Sequence, residues 1–204
     1  YSAGVSSSNL QKTQIGFAKA SSISPDNEGW PSQSTQWYSS YYSVPDYQWT
    51  TDAGMAVDGS VYHQSNYVPA VFTVPSHYHG WMSGAVTYMR INSASDAIIQ
   101  YVYIPQGLAP QEICVQYQLS SSYPGTWRRA YWGGSSTGGD IIEMNAASGL
   151  KPTTSVRMGD LPTTTGQWVQ LTVKASDLGI GAGAYIYGTV YGLYGGAAAW
   201  DYAS

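Results

Sequence analysis

The chain has 204 residues, 43% hydrophobic and 10% charged, with eight basic against twelve acidic side chains and a formal net charge of −4. That is one domain's length with enough apolar side chains for a core, well below the roughly 25% charged residues of an average soluble domain. The charge balance excludes a polybasic footprint for nucleic acid, no apolar run approaches the roughly 18 residues of a membrane span, and the one cysteine excludes an intrachain disulfide framework.

Nineteen tyrosines, eight tryptophans and 23 glycines stand against two phenylalanines. Solubility therefore rests on Ser, Thr, Gln, Asn and tyrosine hydroxyls rather than on mixed charge. Such neutral polar surfaces are common where proteins meet sugars or pack against copies of themselves, and they predict an extracellular or cell-surface location. The start at Tyr1, with no signal peptide before it, reads as a processed chain.

Residues 1–35 are rich in Ser, Gln and Asn and broken by Pro25 and Pro31. Within them Thr13, Ile15 and Phe17 alternate with Gln14, Gly16 and Ala18, a period-two pattern that suits a short strand. This extension is expected either to lie on its own domain or to dock on a neighbouring subunit through Ile15 and Phe17. Residues 36–204 form the predicted globular domain.

From about Tyr38 the chain reads as strands and turns. Strands are predicted over 85–91, over the β-prone run 97–104 ended by Pro105, over 112–119, over 126–132 and at Ile141-Ile142. Residues 167–173 alternate, with Trp168, Gln170 and Thr172 on one face and Val169, Leu171 and Val173 on the other. One helical turn, Ala175-Ser176-Asp177-Leu178, ends at Gly179. Strands over 184–194 and 197–202 close the chain, with glycines allowing close backbone approach. Spacing of this kind predicts an all-β, antiparallel sandwich or barrel.

Several short motifs keep a recognisable order over 37–204. They are His63-Gln64-Ser65-Asn66, His77-Tyr78-His79, Tyr101-Val102-Tyr103-Ile104, Pro110-Gln111-Glu112-Ile113 and the run from Gly125-Thr126-Trp127 to Trp132-Gly133. Met158-Gly159-Asp160-Leu161-Pro162, Gly166-Gln167-Trp168-Val169 and the run from Leu193-Tyr194-Gly195 to Trp200-Asp201-Tyr202 complete the series. In these the chain resembles a β-sandwich module of large bacterial surface and secreted proteins, some with RHS-type repeats. The resemblance implies a jelly roll like that of galactose-binding and carbohydrate-binding modules, and it implies no catalytic activity. In such modules an aspartate at the place of Asp201 helps to ligate calcium, and Asp46, Asp52 and Asp58 are partners from early loops. Where the family tends to carry an acidic pair, this chain has Ser39-Ser40.

Three other constellations carry possible chemistry. His63, His77 and His79 fall within a short stretch; a hairpin would set His63 beside the other two, and three imidazoles with an open fourth position suit zinc. The alternative is that the rings are satisfied within an aromatic-rich sheet. Gly134-Ser135-Ser136-Thr137-Gly138 matches a nucleophile-elbow string but lacks a helical pattern after it, and the three glutamates Glu28, Glu112 and Glu143 form no facing pair in sequence. No enzyme is expected. In 126–132, Arg128 shares a face with Thr126, Ala130 and Trp132, and Arg129 with Trp127 and Tyr131; one arginine half-buried on a ring is expected to pin the sheet, the alternative being a contact with sugar or carboxylate.

Aromatic side chains are the leading functional signal. Tyr38, Tyr41, Tyr42, Tyr47 and Trp49 crowd one segment, and Tyr185, Tyr187, Tyr191 and Tyr194 another. A tyrosine couples an apolar ring to a polar tip and suits contact with sugars or with protein. Tyr41, Tyr42, Tyr47, Trp49, Trp81, Arg128 and Trp132 are the expected ligand-binding residues. Two functions follow. The first is a non-catalytic extracellular structural protein that self-assembles into a filament or surface layer from copies of itself. The alternative is a carbohydrate-binding, lectin-like domain that recognises polysaccharide through surface Tyr and Trp.

Overall fold

The computed structural model describes the backbone of residues 89–121, 125–142 and 151–203 and of four earlier strands, with side chains described for 90–121, 125–142 and 151–200. The earlier strands are β1 (Gln36–Ser39), β2 (Tyr47–Thr50), β3 (Tyr62–Ser65) and β4 (Ser76–Met82). After them come β5 (Met89–Arg90), β6 (Ala97–Tyr103), β7 (Glu112–Gln118), β8 (Trp127–Gly133), β9 (Thr154–Gly159), β10 (Trp168–Lys174), β11 (Tyr185–Ile186), β12 (Gly188–Tyr194) and β13 (Ala199–Ala203).

The protein is an all-β sandwich. One sheet runs in the order β1-β4-β12-β7-β8-β9, the other β10-β6-β13-β3-β2, and β11 pairs with β5 in a two-stranded ribbon. The chain passes from one large sheet to the other repeatedly, as a jelly roll requires. The pairs are antiparallel except β8 with β9, which are parallel. That parallel edge strand was absent from the strands predicted above, because Thr154–Gly159 holds charge and glycine and only one face of it is partly covered.

Alternation explains how the sheets close on each other. Ile98 and Val102 of β6 and Leu171 and Val173 of β10 point inward, against Ile113, Val115 and Tyr117 of β7, Ala130 and Trp132 of β8 and Tyr191 and Leu193 of β12. Burying side chains of this size stabilises the fold by about 1.5–3 kcal/mol each before entropy is charged. With so little phenylalanine, Tyr and Trp fill the interior, and their polar tips have to be placed. Tyr191 stacks on Trp200 at 5.0 Å between ring centroids and donates its hydroxyl to Gln100 Oε1 at 3.0 Å. The Tyr117 hydroxyl and Trp200 Nε1 are buried with no hydrogen-bond partner among the described residues.

The single turn predicted at Ala175–Leu178 is a 3-10 helix, with Ala175 and Leu178 buried and Gly179 closing it at φ 66°. At the other close approach, a Cβ on Gly196 (φ 65°) would lie 2.5 Å from the Leu108 carbonyl oxygen, so glycine is needed there. Two expectations fail. Ile141-Ile142 is not a strand but part of an irregular segment over β7 and β8. The late tyrosine strand is broken at Tyr187: Tyr185 pairs with Arg90, and the ladder with β7 begins at Gly188 opposite Gln118. Tyr185 and Tyr187 are accordingly half-exposed, whereas Thr189 and Tyr191 are buried.

Candidate functional site

The sheet faces turned away from the main core are chemically opposite. On the five-stranded sheet, β10 is an edge strand paired to β6, so that Trp168 lies opposite Tyr103, Gln170 opposite Tyr101 and Thr172 opposite Ile99. Gln170 and Thr172 are exposed, and Ile99, Tyr101, Tyr103 and Trp168 half-exposed. The Tyr103 and Trp168 rings meet at 5.6 Å between centroids with their planes at 56°. Tyr101 donates its hydroxyl to Gln170 Oε1 at 2.9 Å, and Gln170 Nε2 donates to Thr172 Oγ1 at 3.2 Å. The result is a surface of apolar rings followed by an amide and hydroxyls held in fixed orientations, with no charged side chain in the three cross-strand pairs.

On the six-stranded sheet the corresponding face is buried. Cys114, Trp127, Tyr131, Ile142 and Val190 pack together there, with Tyr194 against them. Among them stand Glu112, Gln116, Gln118 and Arg129, each 2% exposed or less. Arg129 Nη1 donates to both Asp140 oxygens at 2.8 and 2.7 Å and to the Ile142 carbonyl at 2.8 Å, and its Nε donates to Gln116 Oε1 at 3.1 Å. Glu112 accepts from the Ile141 N–H at 2.9 Å and from the Ile142 N–H at 3.3 Å. Burial, with Asp140 alongside, pushes the Glu112 carboxyl up to about 8, so at neutral pH it keeps its proton. Burial likewise pushes the Cys114 thiol up to about 12 and makes it an inert small hydrophobe, as its apolar neighbours predicted.

Glu112 and Asp140 were not paired in the sequence reading. They are far apart in the chain, and the only available signal was a glutamate opening a strand of buried residues. Their oxygens are occupied by backbone amides and a guanidinium, so the pair works as a structural clasp.

The predicted ligand residues divide as follows. Arg128, half-exposed, donates to Thr153 Oγ1 at the junction with β9, and it shares a face with Ala130 and Trp132 as expected. Trp132 is only 7% exposed and belongs to the main core, because its position in β8 points between the sheets. The arginine that pins the sheet is Arg129, fully buried at 1% exposed and paired with a carboxylate rather than half-buried on a ring. Trp168, Tyr101 and Tyr103, which make the exposed aromatic face, were absent from the expected ligand set, although the alternation of 167–173 had already placed Trp168, Gln170 and Thr172 together.

Tyr47 and Trp49 fall on β2 and Trp81 on β4, with side chains outside the described residues; Tyr41, Tyr42, Asp46, Ile15 and Phe17 lie outside them altogether. His63 is on β3 of the five-stranded sheet and His77 and His79 on β4 of the six-stranded sheet, so no hairpin joins them. Asp201 takes its place in β13 opposite Tyr101. Among the described residues no group of three or more His, Cys, Asp or Glu side chains is placed to hold a metal ion. The serine string at 134–138 is a turn after β8, closed by the Gly138 N–H donating to the Ser135 carbonyl at 2.7 Å.

No family model matches the sequence, and no curated protein matches it. Among solved structures, one similar in fold is TmCBM61 in complex with β-1,4-galactotriose, at 8% identity and a TM-score of 0.41 over 84% of this chain and 86% of that one. The enzymatically active domain of bacteriophage CBA120 tailspike protein 4 is 11% identical, with a TM-score of 0.41 over 84% of this chain and 19% of that one. SGBP-B from a xyloglucan utilization locus in Bacteroides uniformis is 9% identical, with a TM-score of 0.40 over 78% and 44%. None of these distant likenesses assigns the chain to a family.

Proposed function

We propose that this protein is a non-catalytic, extracellular carbohydrate-binding sandwich that holds neutral polysaccharide against the outer face of β6 and β10. The observation that carries the reading is the uncharged row of Tyr103 and Trp168, Tyr101 and Gln170, and Ile99 and Thr172. A pyranose ring offers C–H faces to aromatic rings and hydroxyls to amides, while charge contributes little to holding it. Gln170, already oriented by Tyr101 and Thr172, needs little further ordering to meet a sugar hydroxyl. The clasped state of Glu112 and Asp140 argues against their use as an acid–base pair. The filament reading rests on residues 1–35, which lie outside the described residues, and it stays an expectation of the sequence.

Affinity electrophoresis of the full chain through gels containing soluble neutral polysaccharides tests the proposal. Retarded migration on at least one glycan, lost in Trp168→Ala and weakened in Gln170→Ala with folding intact, is the expected result. Unretarded migration across the panel, or equal retardation of both variants, overturns it.

A further inference from the structure

The buried face of the six-stranded sheet holds a second inference, separate from the sugar-binding surface. Residues 138–142 lie across β7 and β8 and are tied down at few points. The Tyr131 hydroxyl donates to the Gly138 carbonyl at 2.9 Å. The other ties run through Glu112, which takes the Ile141 and Ile142 amides, and through Arg129, which takes Asp140 and the Ile142 carbonyl. The polar fastening therefore depends on ionisable groups, and the buried Ile142, in one cluster with Trp127, Tyr131 and Val190, adds an apolar tie.

We propose that residues 138–142 form a proton-operated cover over the β7–β8 face, shut while Glu112 is neutral and loosened when it is charged. The charge count at the clasp is the reason. Of the groups facing Glu112 among the described residues, β8 supplies the Arg129 cation and the Tyr131 phenol, β12 the Tyr194 phenol directly opposite in the ladder, the cover Asp140, and β7 the un-ionised Cys114 thiol. Arg157 of β9 is engaged with Asp160 at 2.5 Å and with the Gly133 carbonyl at 3.2 Å. One cation thus serves two carboxylates, and it is already bound to Asp140. A second negative charge is relieved if Asp140, whose side chain is 20% exposed, moves out to water with its segment.

What the cover hides favours its release. Arg129 Nη2, Trp127 Nε1 and Gln118 Oε1 are buried without hydrogen-bond partners among the described residues. They lie on one face, since Trp127 is opposite Gln118 and Arg129 opposite Gln116 in the ladder. An unpaired buried polar atom carries its desolvation cost undiminished, and opening returns Arg129 Nη2 and Trp127 Nε1 to solvent, while Gln118 stays packed against Gly125. The open face then presents two donors to a hydroxyl-bearing or carbonyl-bearing ligand.

Hydrogen exchange of the Ile141 and Ile142 amides in the full chain, corrected for intrinsic exchange, reads the opening constant. Because Glu112 is held neutral only in the closed state, that constant should climb by up to tenfold per pH unit between about pH 5 and 8 and then level off. It should be flat in Glu112→Gln. In the wild-type chain these amides should be less protected than those of β6 and β10 at every pH, which marks a local opening. The proposal is overturned by a pH-independent constant in the wild-type chain or an unchanged slope in Glu112→Gln. Protection equal to that of β6 and β10 also overturns it, and that measurement stands even if the variant does not fold.

Discussion

The outer face of β6 and β10 and the outer face of β7 and β8 differ in what lies over them. The first is half-exposed and rich in rings, uncharged from Trp168 to Thr172 with Lys174 at its end, and its hydrogen bonds run between neighbouring side chains of the same surface. The second is covered by 138–142, carries the Arg129 cation with two carboxyl groups, and keeps three polar atoms without partners among the described residues. Water satisfies whatever an exposed neutral face leaves unmade, at almost no cost. A buried charged face must match every group internally, so small changes there move stability, whereas changes on the exposed face move binding.

That contrast can be broken or sharpened by substitution. The largest effect is expected for Arg129→Ala, which leaves Asp140 without its cation and Gln116 and the Ile142 carbonyl without their donor; urea unfolding at pH 7 should show a loss of about 3–5 kcal/mol. Glu112→Gln comes next and should act in the opposite direction. The Glu112 carboxyl lies at about 8 in the fold against an ordinary 4.5, so its contribution is complete below pH 4.5 and is lost as pH rises to 8. The wild-type urea midpoint should therefore fall from pH 5 to pH 8 while that of Glu112→Gln stays level, leaving the variant more stable by up to about 4 kcal/mol at pH 8. Gly133→Ala follows. Gly133 has φ 84° and a Cβ there would sit 2.3 Å from the Gln111 carbonyl oxygen, so urea unfolding at pH 7 should show a loss of about 1–3 kcal/mol. Trp168→Ala should cost the least in stability, under about 1.5 kcal/mol for the lost ring pair, while abolishing retention on polysaccharide gels. If the β7–β8 variants altered glycan retention and Trp168→Ala did not, the roles of the two faces would be exchanged.

Much of the framework could be read from spacing. β6, β7, β8, β10 and β12 lie where alternation and β-propensity put them, and the Ala175–Leu178 turn ends at the glycine expected. Alternation also sorted the side chains of 126–132 onto the correct faces, but it could not say which face meets the other sheet. Trp132 therefore stands among the expected ligand-binding residues, although it is core. The exposed aromatic face was half legible: Trp168, Gln170 and Thr172 were aligned by their period, whereas Tyr101 and Tyr103 joined them only through strand pairing. The Glu112–Asp140–Arg129 clasp could not be seen, because it needs a segment with no periodic pattern to fold back over β7.

By itself the sequence determined an all-β chain with sparse charge, an interior filled by Tyr and Trp, and the pairing of opposite faces along each strand. These are local properties, set by the two-residue period and by the size and polarity of each side chain. Only the tertiary structure decided which face is covered and which is open. Coverage depends on sheet order and on where an irregular segment lands, and both are settled by contacts between residues far apart in the chain.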